Sequence, residues 1–361
     1  MDEQIFAIQA FGGISRMFAE LARQYVHHGV SDVRLIPFTA PIVNRYILDD
    51  PAVSAALGAR AARNEWTALA RYFARLRVHP PADVIHNTFY LPHGLAPTRG
   101  AKRIVTVHDM IPELLPGTRR RLDKLTLKRR YVDQADHIIC VSEATRRDLL
   151  RVYPEVSAPI TVVHHGVDER FTPGADALPD LPDEYVLMVG HRGEYKDGAL
   201  LFRAFAQIAD TFPDVDLVCV GGGAFTREEQ ELIDELGLVE RVGQYPLSDP
   251  RLPGAYGNAL AFVFPSRFEG FGLPALEAMA CGAPTILSDS TAFPEIGGEA
   301  AAYFTVGDPA DLANVMETVL SSDERRRCLR EQGLQRAAQF SWRRTAEETA
   351  SVYRQAVQAP R

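Results

Sequence analysis

One stretch constrains this chain more than any other. The apolar run Ala259-Leu-Ala-Phe-Val-Phe264 breaks at Pro265-Ser266 and leads into Glu269-Gly-Phe-Gly-Leu-Pro-Ala-Leu-Glu277. Uninterrupted apolar residues bounded by turn formers predict a buried parallel strand. Gly270 and Gly272 allow a tight bend, and Pro274 suits a first helical turn, where its missing N–H costs nothing. A helix is expected over Ala275–Ala280, with Gly282 at its C-cap. One carboxylate then sits in the loop at the strand's C-terminal end and a second in the first turn of the next helix. Between them lie free N–H groups from Phe271, Gly272, Leu273 and onward to residue 275. Open α/β sheets bind ligands at this place, and helix N-termini favour phosphate. Two acids beside an anion site need a separate task. Accepting hydrogen bonds from adjacent sugar hydroxyls supplies one, so the pattern points to a sugar-nucleotide site.

The full run Pro265-Ser-x-x-Glu269-Gly-Phe-Gly-Leu-Pro274-x-Leu-Glu277-Ala-Met-Ala-x-Gly282 resembles the signature of the retaining family-four glycosyltransferases. The resemblance implies an α/β chain of GT-B fold, two Rossmann-like α/β/α domains facing across a cleft. It also implies hexose transfer from a nucleotide sugar to a hydroxyl, metal-independent and with retention. Glu269 would hold the donor sugar and Glu277 the ribose hydroxyls.

Further segments fit this frame. Gly12-Gly13 opens a helical pattern that runs to about Gly29, and paired glycines let a backbone approach a ligand closely. Family members place a similar loop at the donor diphosphate. They begin with a complete apolar strand, whereas only Gln4–Ile8 is available here, so that strand is expected to be clipped or absent. A second strand is expected at Val33–Ile36, and one long helical region over 51–77. Arg103-Ile-Val-Thr-Val-His108-Asp109-Met-Ile-Pro112 delivers His108 and Asp109 to a strand end. The resemblance puts His108 near the donor sugar, with Asp109 orienting the imidazole or the acceptor hydroxyl. Tyr185–Val189 precedes Gly190-His-Arg192-Gly-Glu-Tyr-Lys196, which sets two cations where a diphosphate would lie. They would neutralise the departing diphosphate. Glu295, in Phe293-Pro-Glu295, matches a family Pro-Glu near the sugar. His164-His165-Gly-Val-Asp168 departs from the Asn-Gly-Val-Asp of relatives and reads as a hinge. Asp214-Val-Asp216 precedes its strand, the wrong end for a metal-binding Asp-x-Asp, and no metal site is expected.

The expected domains are 1–168 on the acceptor side, a Pro/Asp-rich linker 169–184, and a donor-binding domain 185–340. A final helix, 341–361, would cross back to the first domain. Residues 1–165 hold 22 Lys and Arg against 16 Asp and Glu, and the remainder 17 against 31, so a basic half precedes an acidic one. Seven basic residues in 119–130 form either a solvated helix face or a patch for anionic lipid or a lipid-linked acceptor. No recognised module accompanies them, which argues against nucleic acid. Cys140 and Cys219 lie in strand-like runs and read as buried thiols in a reducing cytoplasm. With no apolar run of membrane-spanning length, the expected location is cytoplasmic, peripheral at most.

No separate cofactor is expected beyond a GDP- or UDP-linked sugar. Motif details favour GDP-mannose, with a glycan or lipid-linked acceptor. Three other readings stay open: an epimerase or phosphorylase on the same fold, a catalytically silent nucleotide-binding homologue, and a dehydrogenase, against which the incomplete glycine fingerprint speaks.

Overall fold

The computed structural model describes residues 1–30, 32–73, 81–115 and 127–359. Two compact units divide it, Met1–Gly166 with Ser341–Arg361, and Val167–Phe340. The first opens with five helices: α1 (Gln4–Ile8), α2 (Gly13–His27), α3 (Arg45–Leu48), α4 (Pro51–Ala56) and α5 (Glu65–Phe73). Then come β1 (Val84–Asn87), β2 (Lys102–Val107), α6 (Ile111–Leu114), α7 (Lys128–Asp133), β3 (His137–Cys140), α8 (Glu143–Val152) and β4 (Ile160–Val162). The four strands form a parallel sheet in the order β1-β2-β3-β4. Ser142 caps α8 by accepting from the Thr145 N–H at 3.0 Å, as its position before an amphipathic run predicts.

One expectation for this unit is met, the absence of the usual first strand at Gln4–Ile8, and two are corrected. Gln4–Ile8 is a helix, because its polar neighbours satisfy the helix start better than a ladder could. The Ile5 N–H donates to Thr88 Oγ1 at 3.1 Å. The buried Asp2 carboxylate accepts from Gln4 Nε2 (2.5 Å), Asn87 Nδ2 (2.6 Å), the Thr88 N–H (2.9 Å) and Thr88 Oγ1 (2.7 Å). That knot drives Ile5, Phe6 and Ala7 fully out of solvent. Val33–Ile36 forms no strand, since a strand needs a partner and a cavity separates this segment from β1. The helical region 51–77 is two helices, split where Gly58 turns to φ +54° and Ile42 bridges to Ala61; positions 74–80 lie outside the described residues. So does most of the basic stretch 119–130. Of its described end, Lys128 pairs with Glu113 at 2.8 Å and Arg129 with Asp133 at 2.8 Å.

The second unit runs β5 (Tyr185–Val189), α9 (Gly198–Ile208), β6 (Asp216–Val220), α10 (Arg227–Glu235), β7 (Val242–Tyr245), α11 (Leu252–Gly257), β8 (Ala261–Phe264), α12 (Leu273–Ala280), β9 (Thr285–Ser288), α13 (Phe293–Gly297), β10 (Ala302–Phe304), α14 (Pro309–Leu320) and α15 (Asp323–Ala337). Its parallel sheet has the order β10-β9-β8-β5-β6-β7. Numbered within the unit, that is 3-2-1-4-5-6 read from β7, the doubly wound order with its reversal between β5 and β8. Strands β5, β8 and β9 are buried on both faces, as apolar runs in a helix-covered sheet must be. Phe202, Phe205, Leu217, Val263 and Met316 share the core on one face. Asp216 holds Arg241 at 3.1 Å at the start of β6, which gives that acid a structural task. The last helix, α16 (Trp342–Gln358), packs on α2 of the first unit, with the Tyr25 hydroxyl donating to Ala346 O at 3.3 Å. Cys140, Cys219 and Cys281 are free and buried, and burial pushes each thiol up to about 12. Among the described residues no helix is long and apolar enough to cross a membrane.

Candidate active site

The reversal point of the second sheet gathers the expected residues. β5 ends in the loop carrying Lys196, and β8 ends in the loop carrying Glu269. The two loops are laced together: the Arg267 N–H donates to Tyr195 O at 2.7 Å, and the Arg267 side chain reaches Asp197 at 2.5 Å. Lys196 Nζ donates to Glu269 Oε1 as a direct ion pair. The ammonium also lies 4.8 Å from the Phe264 ring centre and 5.2 Å from that of Tyr195, so apolar rings bound the charge. Glu269 is only 8% exposed, and its N–H donates to Thr291 Oγ1 at 2.9 Å. Without the lysine its carboxylate would be buried and uncompensated.

Past Glu269 the chain turns at Gly272, whose φ of +102° falls where side chains are rarely tolerated. A Cβ there would also come within 2.9 Å of the Phe293 ring. Leu273 and Pro274 then open α12, and Phe271 is buried with its ring 6.1 Å from that of Phe340. Glu277, 6% exposed, accepts from the Tyr256 hydroxyl at 3.2 Å. Glu295 stands half-buried in the first turn of α13, whose backbone is pinned by Arg336 on the Glu295 carbonyl at 2.6 Å.

Arg192 departs from expectation. Its guanidinium donates to Glu229 Oε1 (2.9 Å) and to the carbonyls of Gly221 (2.7 Å), Gly223 (2.9 Å) and Ala224 (3.1 Å). It stacks 4.8 Å from the Phe225 ring centre. A guanidinium 4% exposed has to find acceptors inside the protein. Gly221, Gly222 and Gly223 all take positive φ, and the turn they make brings the Gly221, Gly223 and Ala224 carbonyls onto it. Arg192 therefore braces the glycine loop after β6, whereas Lys196 pairs with Glu269.

In the first unit β2 delivers His108 to the C-terminal end of its sheet. Part of the residue is exposed, but Nε2 is buried without a hydrogen-bond partner among the described residues. The ring packs edge-on against Phe18 at 5.8 Å and lies 6.2 Å from His165. Burial pulls the imidazole down to about 4, against the Asp109 charge, with Lys128 adding to the pull. Asp109 Oδ1 accepts from the Ile111 N–H at 3.0 Å, so this carboxylate holds the turn into α6. Lys128 secures the same turn by donating to Asp109 O at 3.0 Å. Gly12 precedes α2, and a Cβ on it would lie 2.5 Å from Gln9 Oε1, which itself accepts from the Ser15 N–H at 3.3 Å. Gly13 is the first residue of that helix.

Comparison with known proteins decides what these loops belong to. Residues 11–171 match the family described as Glycosyltransferase Family 4, and residues 175–336 match Glycosyl transferases group 1. The chain is 30% identical over 289 residues to the O-antigen chain mannosyltransferase B of Escherichia coli, covering 74% of this chain and 72% of that protein. It belongs to the family-four glycosyltransferases.

A second relative of this glycosyltransferase, the MMP alpha-(1->4)-mannosyltransferase of Mycolicibacterium hassiacum, is 30% identical over 76% of this chain and 71% of its own length. The sucrose-phosphate synthase of Thermosynechococcus elongatus superposes with a TM-score of 0.65 at 26% identity, over 80% of this chain and 76% of that one. The enzyme is thus a hexosyltransferase of GT-B fold that uses a nucleotide-sugar donor and a glycan acceptor.

Sequence reasoning missed Tyr256, Thr291, Glu229 and the Lys128–Glu113 pair. Tyr256 and Thr291 stand in segments with no motif of their own, and only chain folding brings them to the acids. Lys128 stood out merely as one of many basic residues.

Three imidazoles in the first unit of the glycosyltransferase share one electrostatic state. His86, His108 and His165 are all held below their ordinary range, burial being the largest cause in each. Their folded forms resist protonation, so they contribute stability above the unfolded pKa near 6.5 that is lost as pH falls below it. Unfolding free energy is expected to drop by roughly 1.4 kcal/mol per pH unit for each imidazole left uncharged. Urea midpoints from pH 7.5 to 4.5 measure this; a flat profile down to pH 5 would contradict it.

Proposed function

We propose that this glycosyltransferase moves a hexose, mannose first among candidates, from GDP-linked donor to a hydroxyl of a glycan or lipid-linked acceptor, with retention and without a metal. The observation that carries the reading is the Lys196–Glu269 ion pair at the sheet's reversal point, with Glu277 one element further along. In the unliganded site the lysine and the acid neutralise each other. A bound donor offers each a better partner. The diphosphate takes the ammonium, and the sugar hydroxyls donate to the released carboxylate. As the glycosidic bond breaks, charge grows on the leaving phosphate oxygen, and Lys196 with the N–H groups at the start of α12 stabilises it. Glu277 accepts from the ribose hydroxyls, held in place by Tyr256. His108 is uncharged at neutral pH, and its buried Nε2, without a hydrogen-bond partner among the described residues, is the group we assign to a sugar hydroxyl. The names of two relatives, both mannosyltransferases, support mannose as the sugar.

A thermal-shift series with GDP, UDP and ADP, followed by donor-consumption assays with GDP-mannose, tests the reading. At a hundredfold excess over Kd a specific nucleotide stabilises by about 2.7 kcal/mol. A shift with GDP and release of GDP from GDP-mannose in the presence of acceptor are expected. A shift with UDP alone would reassign the base, binding without turnover would favour the silent homologue, and no shift with any nucleotide would refute the site.

A further inference from the structure

The register of β8 on β9 ends at Phe264 and Leu287. Beyond those residues side chains take over from the backbone ladder. The Ser288 hydroxyl donates to Ser266 O at 2.6 Å and the Ser290 hydroxyl to Arg267 O at 2.7 Å. Thr291 Oγ1 then accepts from the Glu269 N–H at 2.9 Å. Three hydroxyls after β9 thus fasten the loop after β8, and the last of them reaches the residue that pairs with Lys196.

That last tie is made under strain. Thr291 takes φ +50°, where a β-branched side chain crowds its own backbone. Such a conformation lasts only where the surroundings over-determine it, and it gathers at functional sites. Both sides of Thr291 are fixed. Ser290 is tied ahead of it, and Ala292 and Phe293 behind it are fully buried, the Phe293 ring 5.4 Å from that of Phe264. Among the described residues other than glycine, positive φ occurs at Arg99, Glu194, Asp197 and Thr291. Glu194 and Asp197 flank the Lys196 turn, and Asp197 takes the Arg267 side chain. All but Arg99 therefore lie on loops that carry or brace the Lys196–Glu269 pair. The sheet itself is held by its ladder, so what this strain maintains is the placement of the pair.

We propose that Thr291 is a positioning residue for hexose transfer: its hydroxyl, aimed by the left-handed backbone, fixes the Glu269 main chain and with it the carboxylate. The proposal rests on the reading of Glu269 as the group that holds the donor sugar. Two restraints place that carboxylate in the unliganded site, Lys196 on the side chain and Thr291 on the main chain. Once the diphosphate draws Lys196 away, the main-chain tie remains. A shift of about 1 Å at a reacting centre costs up to roughly a hundredfold in rate. GDP has no hexose, so its binding does not depend on this tie.

Three variants of the full chain test this. Thr291→Val keeps the shape without the hydroxyl, Thr291→Ser keeps the hydroxyl, and Thr291→Gly removes the hydroxyl while accepting the positive φ freely. In the glycine variant relief of strain offsets the lost hydrogen bond, so Tm is expected within about 3 °C of wild type even where the valine variant folds poorly. With GDP-mannose, kcat is expected to fall about ten- to a hundredfold in the glycine and valine variants and by less than about threefold in the serine variant. The Kd for GDP should stay within about threefold in all of them. Exchange of the Glu269 amide should quicken roughly tenfold without the hydroxyl and stay unchanged in the serine variant. Full turnover by Thr291→Gly would overturn the proposal. Parallel loss of Tm, GDP binding and turnover in that variant would make the residue merely structural and overturn it as well. A wild type that binds GDP but leaves GDP-mannose intact would refute the donor reading instead. Amide exchange then decides alone, and an unchanged Glu269 rate in Thr291→Gly would overturn the tie.

Discussion

Lys196→Ala is expected to lower kcat by about a hundred- to a thousandfold while moving the donor KM by less than about tenfold. The asymmetry follows from what the ammonium touches. Before donor binds, Lys196 is committed to Glu269, so its exchange onto the diphosphate gains little ground-state affinity. In the proposed role the same contact strengthens as the leaving oxygen acquires charge, and that increment would appear in kcat. Arginine is not an equivalent replacement. The site is bounded by the Phe264 and Tyr195 rings at 4.8 and 5.2 Å, and it suits a compact ammonium rather than a planar fork. The variant also leaves a buried carboxylate without its cation, so some loss of stability accompanies it. Lys196→Ala combined with Glu269→Gln removes that charge and separates the two effects. Steady-state kinetics with GDP-mannose provide the readout. A large KM change with unaltered kcat would assign the lysine to uniform binding and refute its role at the leaving group.

Glu277→Ala should show the opposite split. A hydrogen bond to a charged acceptor is worth about 1.5–3 kcal/mol, so losing the proposed ribose contact is expected to raise nucleotide Kd by about 10- to 100-fold. At saturating donor, kcat should change by no more than roughly threefold, because the ribose does not react. Tyr256→Phe removes only the hydroxyl that steadies this carboxylate at 3.2 Å, and a smaller rise in Kd is expected. Calorimetric titration with GDP measures both variants. If Glu277→Ala leaves Kd unchanged and abolishes turnover instead, the tasks of Glu277 and Lys196 have been exchanged.

The second unit was the more legible one. Its strands β5, β6, β8 and β9 are short uninterrupted apolar runs, each closed by glycine, proline or serine, and its closing helices α14 and α15 follow visible Ser and Asp caps. β10 escaped notice because Ala302-Tyr303-Phe304 is three residues long and follows a turn that masks any period. The first unit was harder. Gln4–Ile8 and Val33–Ile36 have the apolar content of strands, yet one is a helix and the other pairs with nothing. A strand exists only by virtue of a neighbour, and composition does not report whether that neighbour is present. The 51–77 region shows the same limit, since the break at Gly58 depends on a bridge from Ile42 to Ala61.

The candidate site divides along the same line. Sequence alone determined the local frame at the strand ends: two acids with seven residues between them, a tight bend at glycine, a helix expected from Ala275 that in fact starts at Leu273, and cations after β5. These are short-range properties, set by backbone sterics and by which residue follows which. Tertiary structure decided which cation serves which acid. Lys196 meets Glu269 across two loops, whereas Arg192, four residues earlier, is claimed by Glu229 and the carbonyls of the 221–224 loop. The physical reason is burial. A guanidinium withdrawn from water must be satisfied by whatever acceptors the fold brings to it, and those acceptors come from parts of the chain that no local pattern connects.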